Sequence, residues 1–209
     1  MPSTPPKFLY FDLGNVLLWF DHRQAAQQMG EVAGISADKV WQVVFESGLE
    51  ERFEAGQLDD QEFFETFCRD TGTRPSREAL LEAGSAIFKM NASMIPVIAQ
   101  LDTAGHRMGI LSNTCGPHWS YCAAGRFVLI CQAFDVLALS YQIGVCKPDP
   151  KIFAAAAKLA GVSPPEIFYT DDIAGNVDAA RMAGFDAVQY TTTPQLVRDL
   201  RDRGVRFNY

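Results

Sequence analysis

Asp12, Ser112, Lys147 and the adjacent acids Asp171 and Asp172 each stand at or soon after the end of a short apolar run in a chain of 209 residues. One strand-end aspartate is often only a turn former, so the set matters more than any member. Phosphoryl transfer needs a nucleophile in line with phosphorus, a divalent cation to screen two anions from each other, and donors that gather the equatorial oxygens. Asp12 can offer one carboxylate oxygen to phosphorus and the other to Mg²⁺, an ion that takes few carboxylates and keeps water and substrate phosphate around it. Asp172, in preference to Asp171, is the expected second carboxylate. Two neighbouring ionised acids repel, and a bound cation or the lysine would offset that cost. Ser112 can donate its hydroxyl to a phosphate oxygen, and Asn113 its backbone N–H and side-chain amide. Lys147 supplies fixed positive charge, and Asn176 follows the acid pair.

The segments that would carry these groups read as strands ending at a common edge. Residues 7–12 (KFLYFD), followed by Gly14 and Asn15, have the pattern of a buried strand meeting a turn. Residues 108–113, 136–140 and 167–172 repeat it, and 186–191 close the series. Helical patterns at 93–103, 152–160, 174–183 and 194–203 alternate with them. This alternation predicts an α/β fold, a Rossmann-like parallel sheet flanked by helices. Ligands of such sheets collect at the carboxyl ends of the strands, near the topological switch point.

Residues 21–90 break the alternation, because 22–33, 38–45, 60–68 and 77–88 read as amphipathic helices with no strand between them. The stretch from Leu58 to Glu62 has the acidic start of a helix. The expected organisation is therefore a Rossmann-like core from 1–20 and 91–209, with 21–90 as an all-helical cap able to admit substrate and exclude water. Arg23, Arg52 and Phe53 in the cap, and His118 beside Trp119 after the second strand, are candidate substrate contacts. Solvated or packed positions are the ordinary fate of such residues.

The order FDLGNV (11–16), ILSNT (110–114), GVCKPDP-x-IF (144–153) and FYTDD-x3-N-x2-AA (168–180) resembles the four motifs of the haloacid dehalogenase-like hydrolases, and the likeness covers almost the whole chain. It implies a Mg²⁺-dependent phosphatase acting through an aspartyl-phosphate. In it Asp12 is the nucleophile, Ser112 the phosphate-binding hydroxyl, Lys147 the charge-balancing lysine, and Asp171 with Asp172 the metal anchor. Phosphatases of this family usually carry a second aspartate two positions after the nucleophile, as acid to the leaving alcohol and base to the attacking water. Gly14 stands there instead and transfers no proton, although its carbonyl can still bind the metal. General acid–base help is typically worth about 10²–10⁴-fold, so its loss favours substrates with good leaving groups. The first motif is similar to that of bacterial sugar-phosphate phosphatases acting on glucose 1-phosphate, whose anomeric oxygen leaves readily. A 2-haloacid dehalogenase is the nearest alternative, but that branch lacks the adjacent acids. A weakened phospho-ligand sensor is the other, and retention of Asp12 weighs against it.

Composition sets outer limits. Twenty-five acidic against eighteen basic residues give net charge −7, which opposes the attraction behind nucleic-acid binding. A small phosphorylated substrate is the expected partner, and no pattern speaks to oligomeric state. No apolar run approaches a membrane span, and residues 1–7 show no signal-peptide pattern, so a cytoplasmic location is expected. The five cysteines show neither a C-x-x-C pair nor zinc-ligand spacing with the histidines and read as reduced, mostly buried thiols. Residues 1–6, with three prolines, read as a short lead-in.

Overall fold

The computed structural model describes residues 4–209; the first three residues of the expected lead-in lie outside the described part. Seven strands occur among the described residues: β1 (Phe8–Phe11), β2 (Leu18–Trp19), β3 (Lys89–Met90), β4 (Met108–Ser112), β5 (Val136–Leu139), β6 (Ile167–Asp171) and β7 (Asp186–Gln189). Five of them form one sheet in the order β5-β4-β1-β6-β7, all pairs parallel. The expected α/β fold is the observed one. β1 is central, and the two-residue periodicity of a strand sends its side chains to opposite faces. Leu9 and Phe11 join a core with Val97, Ile98, Leu196 and Leu200. Phe8 and Tyr10 join a second core with Ile152, Phe153, Ala156 and Val177. A strand buried on both faces must be apolar throughout, which is why 7–12 was legible as a strand.

The polar residues follow the last sheet position of each strand. Asp12 continues the β1 pairing by donating its N–H to Thr170 O at 3.0 Å. β4 ends at Ser112 and β6 at Asp171, so these groups arrive at the same carboxyl edge. The neighbours of β1 are β4 and β6, reached by chain leaving in opposite directions, which places Asp12 at the switch point.

After β2 come helices His22–Ala33, Ala37–Trp41, Leu49–Glu54, Asp60–Thr71 and Arg77–Ser85, with a π-helical turn at Gln42–Glu46. They enclose a third apolar core that includes Met29, Val44, Phe53, Phe64, Phe67 and Leu80. Phe53 stacks on Phe63 with ring centroids 4.5 Å apart and so packs this core. Asp59 caps Asp60–Thr71 with a reciprocal bond from Glu62, as the sequence pattern indicated. The segment expected as one helix over 77–88 stops at Ser85, because the chain must extend into β3 to pair with β2. Leu49–Glu54 had no counterpart in the sequence reading. Buried Asn91 ties the return to the sheet, donating to Val16 O (2.8 Å) and Tyr190 Oη (2.9 Å). All five cysteines are free; Cys68, Cys115 and Cys122 are buried, Cys146 half-buried and Cys131 exposed. Among the described residues no helix is long and apolar enough to cross a membrane.

Candidate active site

Asp12, buried at the end of β1, receives the Leu13 N–H (2.7 Å) and the Lys147 ammonium (2.9 Å), both on Oδ1. Lys147 Nζ also reaches Asp171 Oδ2 (2.7 Å), Leu111 O (3.1 Å) and Tyr169 Oη (3.1 Å). A buried ammonium with this many acceptors stays charged: Asp12 and Asp171 push its pKa up against desolvation. Burial pushes the Asp12 carboxyl up, with Lys147 opposing.

The two adjacent acids differ sharply. Asp171 is fully buried, and its oxygens accept from Lys147, Tyr169 Oη, the Ile173 N–H (2.8 Å) and the Asn176 amide (3.1 and 3.2 Å). Asp172 is partly exposed, faces the cavity and holds the Asn15 amide at 3.2 Å. Asp12, Asp171 and Asp172 each present an oxygen within 4.8 Å of the others. Three carboxylates against one ammonium leave an excess of two negative charges, and a divalent cation is the group that balances it. The donor set therefore fits a hard, oxygen-liking ion.

A cavity of about 190 Å³ opens over these groups, lined among others by Asp12, Gly14, Ser112, Asn113, Lys147 and Asp172. Asn113, expected to offer its backbone N–H and amide to phosphate, lines the cavity while its side chain also bonds protein. The amide bonds in both directions to the Lys147 backbone, Nδ2 to O at 3.0 Å and Oδ1 from N at 2.7 Å, and so holds the lysine loop against β4. Ser112 makes only a 3.1 Å contact to the neighbouring Asn113 carbonyl. Thr114 also lines the cavity, and its Oγ1 is buried without a partner among the described residues. Such an orphan hydroxyl costs free energy unless a ligand or water satisfies it.

Residues 7–184 match the family described as haloacid dehalogenase-like hydrolase, and that span holds every group just placed. The chain belongs to the haloacid dehalogenase-like hydrolases. Similar to it are Phosphatase MT3486 of Mycobacterium tuberculosis, 28% identical with 93% of both chains covered, and the D-ribitol-5-phosphate phosphatase of Bacteroides thetaiotaomicron, 27% identical over 88% of this chain and 91% of that one. In fold it resembles a haloacid dehalogenase family enzyme of B. thetaiotaomicron solved with magnesium and inorganic phosphate. There the TM-score is 0.78 at 23% identity, over 89% of this chain and 94% of the other.

In this haloacid dehalogenase-like hydrolase the cavity's upper wall is aromatic and comes from the helical segment and its junctions. Phe20 lies 5.9 Å from Phe88 and 4.8 Å from His22, and Phe88 meets His118 edge-on at 5.4 Å. His118 thus lines the cavity, while Trp119 packs on the sheet core. Arg23 and Arg52 are elsewhere: the Arg23 guanidinium lies 3.6 Å over the Trp41 ring, and Arg52 borders a separate groove with Glu51 and Asp149. Sequence reasoning missed His22, Phe20, Phe88, Thr114 and Glu54. Glu54, the last residue of Leu49–Glu54, enters the cavity, and burial raises its carboxyl to about 7. Thr114 alone had a signal, since it belongs to the ILSNT motif.

Proposed function

We propose that this hydrolase is a Mg²⁺-dependent phosphatase of small phosphorylated metabolites, with Asp12 as nucleophile. The observation that carries the reading is the fixed Asp12 carboxylate. Lys147 and the Leu13 N–H both hold Oδ1, which leaves Oδ2 to meet phosphorus at the mouth of an acid-rich cavity. Asp12, Asp172 and the Gly14 carbonyl would hold Mg²⁺, whose charge would screen the nucleophile from the phosphoryl oxygens. Asp171, saturated by protein donors, orients Lys147 and leaves the outward ligation to Asp172. Ser112 and Thr114 offer hydroxyls to the phosphoryl oxygens, and Lys147 balances charge through Asp12. The relatives named as phosphatases and the neighbour holding magnesium and phosphate support the same chemistry.

Residues 21–90 serve in this reading as a cap over a core of 1–20 and 91–209, with Phe20, His22 and Phe88 excluding water. Their ring faces suit the C–H faces of a sugar or polyol, which makes a sugar phosphate the substrate class to test first. The adjacent acids beside Asp12 weigh against attack on carbon, which needs no cation. The experiment is a panel of phosphorylated metabolites assayed with and without Mg²⁺. Turnover should require the metal, and Asp12→Asn should abolish it while circular dichroism stays unchanged. Full activity after exhaustive EDTA treatment, or an active Asp12→Asn, would sink the reading.

A further inference from the structure

The site as described lacks a proton carrier for the leaving alcohol. Gly14 has no side chain, and a Cβ built there would lie 2.6 Å from Phe20 Cε1, so Phe20 occupies the space into which a side chain at this position would begin. Another titratable group must come from a different element if departure is assisted. His118 is disfavoured: burial and the neighbouring His22 lower its pKa to about 4, leaving a neutral ring bonded to the Gly84 backbone. His22 is lowered too and lies 3.5 Å from Glu50. Asp172 is the expected metal ligand, and Asp171 is saturated.

Glu54 meets the requirements that these groups fail. It shares the cavity with Asp12, Gly14 and Ser112. It lies one turn from Glu50 on its helix, and carboxylate oxygens of both come within 4.8 Å of each other and of a His118 ring nitrogen. Its place is fixed from the core: two residues on, Gly56 (φ 66°) sits so close to the Tyr141 carbonyl that a Cβ would lie 2.3 Å from its oxygen. Phe53 beside it is anchored on Phe63.

We propose, on the phosphatase reading above, that Glu54 is the catalytic acid and base of this site, delivered by the helical segment in place of the side chain absent at Gly14. In the first half-reaction Asp12 forms a bond to phosphorus as the bond to the leaving oxygen breaks, and that oxygen takes the proton of the Glu54 carboxylic acid. In the second, water attacks phosphorus, its proton passes to the Glu54 carboxylate, and the bond to Asp12 breaks. The sum is one ester and one water giving one alcohol and one phosphate, with Asp12 and Glu54 restored. A carboxyl raised to about 7 by burial, with Asp12 adding to the shift and Lys147 opposing it, is suited to both directions of transfer.

The test compares kcat/KM of the Mg²⁺-loaded wild type, Glu54→Gln and Glu54→Asp for aryl and alkyl phosphates of graded leaving-group basicity. It is joined to a rapid acid quench with ³²P-labelled substrate to detect the phosphoenzyme. The wild type should depend weakly on leaving-group basicity. Glu54→Gln should depend steeply, losing about 10²–10⁴-fold on alkyl phosphates but under about tenfold on 4-nitrophenyl phosphate. The limb of the pH profile near neutrality should vanish with it, and Glu54→Asp should keep the weak dependence at a reduced rate. An equal loss on every substrate, or no loss, overturns the proposal. If Glu54→Gln fails to fold, a steep dependence in the wild type overturns it, and a weak one that Glu54→Asp keeps at a reduced rate and Glu54→Ala loses supports it. Labelled phosphoenzyme with a steep wild-type dependence overturns this inference alone. No turnover of any phosphomonoester overturns it together with the phosphatase reading.

Discussion

Asp12, Asp171 and Asp172 share one ammonium, and this imbalance ties chemistry at the residue scale to stability. The acids on the strands were legible in the sequence because each follows a buried apolar run that fixes where its strand ends. Asp171 and Asp172 could be told apart only in three dimensions: Asp171 spends both oxygens on Lys147, Tyr169, Asn176 and the Ile173 N–H, and Asp172 does not. Glu54 extends the theme. Its carboxyl rises from the ordinary 4.5 to about 7 on burial, so between these values the folded chain keeps a proton that the unfolded chain has released. The stability linked to this group is complete below about 4.5 and is lost as pH rises through about 7. Glu54→Gln mimics the protonated form at every pH and escapes that loss. Without metal, the variant should gain on the wild type by on the order of 1–3 kcal/mol from pH 5 to pH 8. Urea denaturation at the two pH values measures this, and a constant difference would show that Glu54 has an ordinary pKa.

At the scale of elements, the proposed proton carrier stands on a helix too short for a periodic pattern. Leu49–Glu54 lies between Gly48 and Gly56, both with positive φ, and six residues show less than two turns of amphipathicity. The sequence therefore flagged Arg52 and Phe53 and passed over Glu54. Gly56→Ala tests whether docking of this helix on Tyr141 positions Glu54. At φ 66° a methyl group would meet the Tyr141 carbonyl, so the helix must move or the turn strain. A loss of about 1–3 kcal/mol in stability is expected, with alkyl phosphate turnover falling more than aryl; parallel losses would separate docking from proton transfer. Gly14 raises the matching question across the cavity. Its φ is not positive, and Asn15 takes the left-handed position instead (φ 54°), so the turn itself tolerates a side chain. Phe20 is the obstacle. Gly14→Asp should destabilise the protein, and adding Phe20→Ala should recover part of the loss, giving a coupling of about 1–2 kcal/mol in a double-mutant cycle. Additive effects would mean that the ring gives way freely.

For the whole molecule, the sequence showed five strands and the helices between them, because burial on both sheet faces leaves an unmistakable apolar record. The two-residue strands β2 and β3 were invisible, since Leu18–Trp19 and Lys89–Met90 are too short to alternate and exist only as partners of each other. They set where the helical segment leaves and rejoins the sheet, and Phe20 and Phe88 stand at those junctions. Folding thus gathers acids at the ends of β1 and β6, hydroxyls from the end of β4 and a carboxylate from the helical segment around one cavity. The cost is electrostatic, in a chain already carrying net charge −7. A cation that binds this assembly and not the unfolded chain must stabilise the whole fold, by about 2.7 kcal/mol at one hundred times its Kd. For a domain of this size that corresponds to a rise in Tm of roughly 5–10 °C. Addition of Mg²⁺ should produce such a shift in the wild type. Asp172→Asn should lose most of it while keeping its metal-free stability, because the Asp172 side chain is partly exposed and holds the Asn15 amide at 3.2 Å, a bond an asparagine oxygen can still accept. Asp171→Asn should instead lower the metal-free Tm, since the amide cannot accept from Lys147 as a carboxylate does. Differential scanning fluorimetry across a Mg²⁺ titration distinguishes the two, and an undiminished shift in Asp172→Asn would move the outward metal ligand to Asp171.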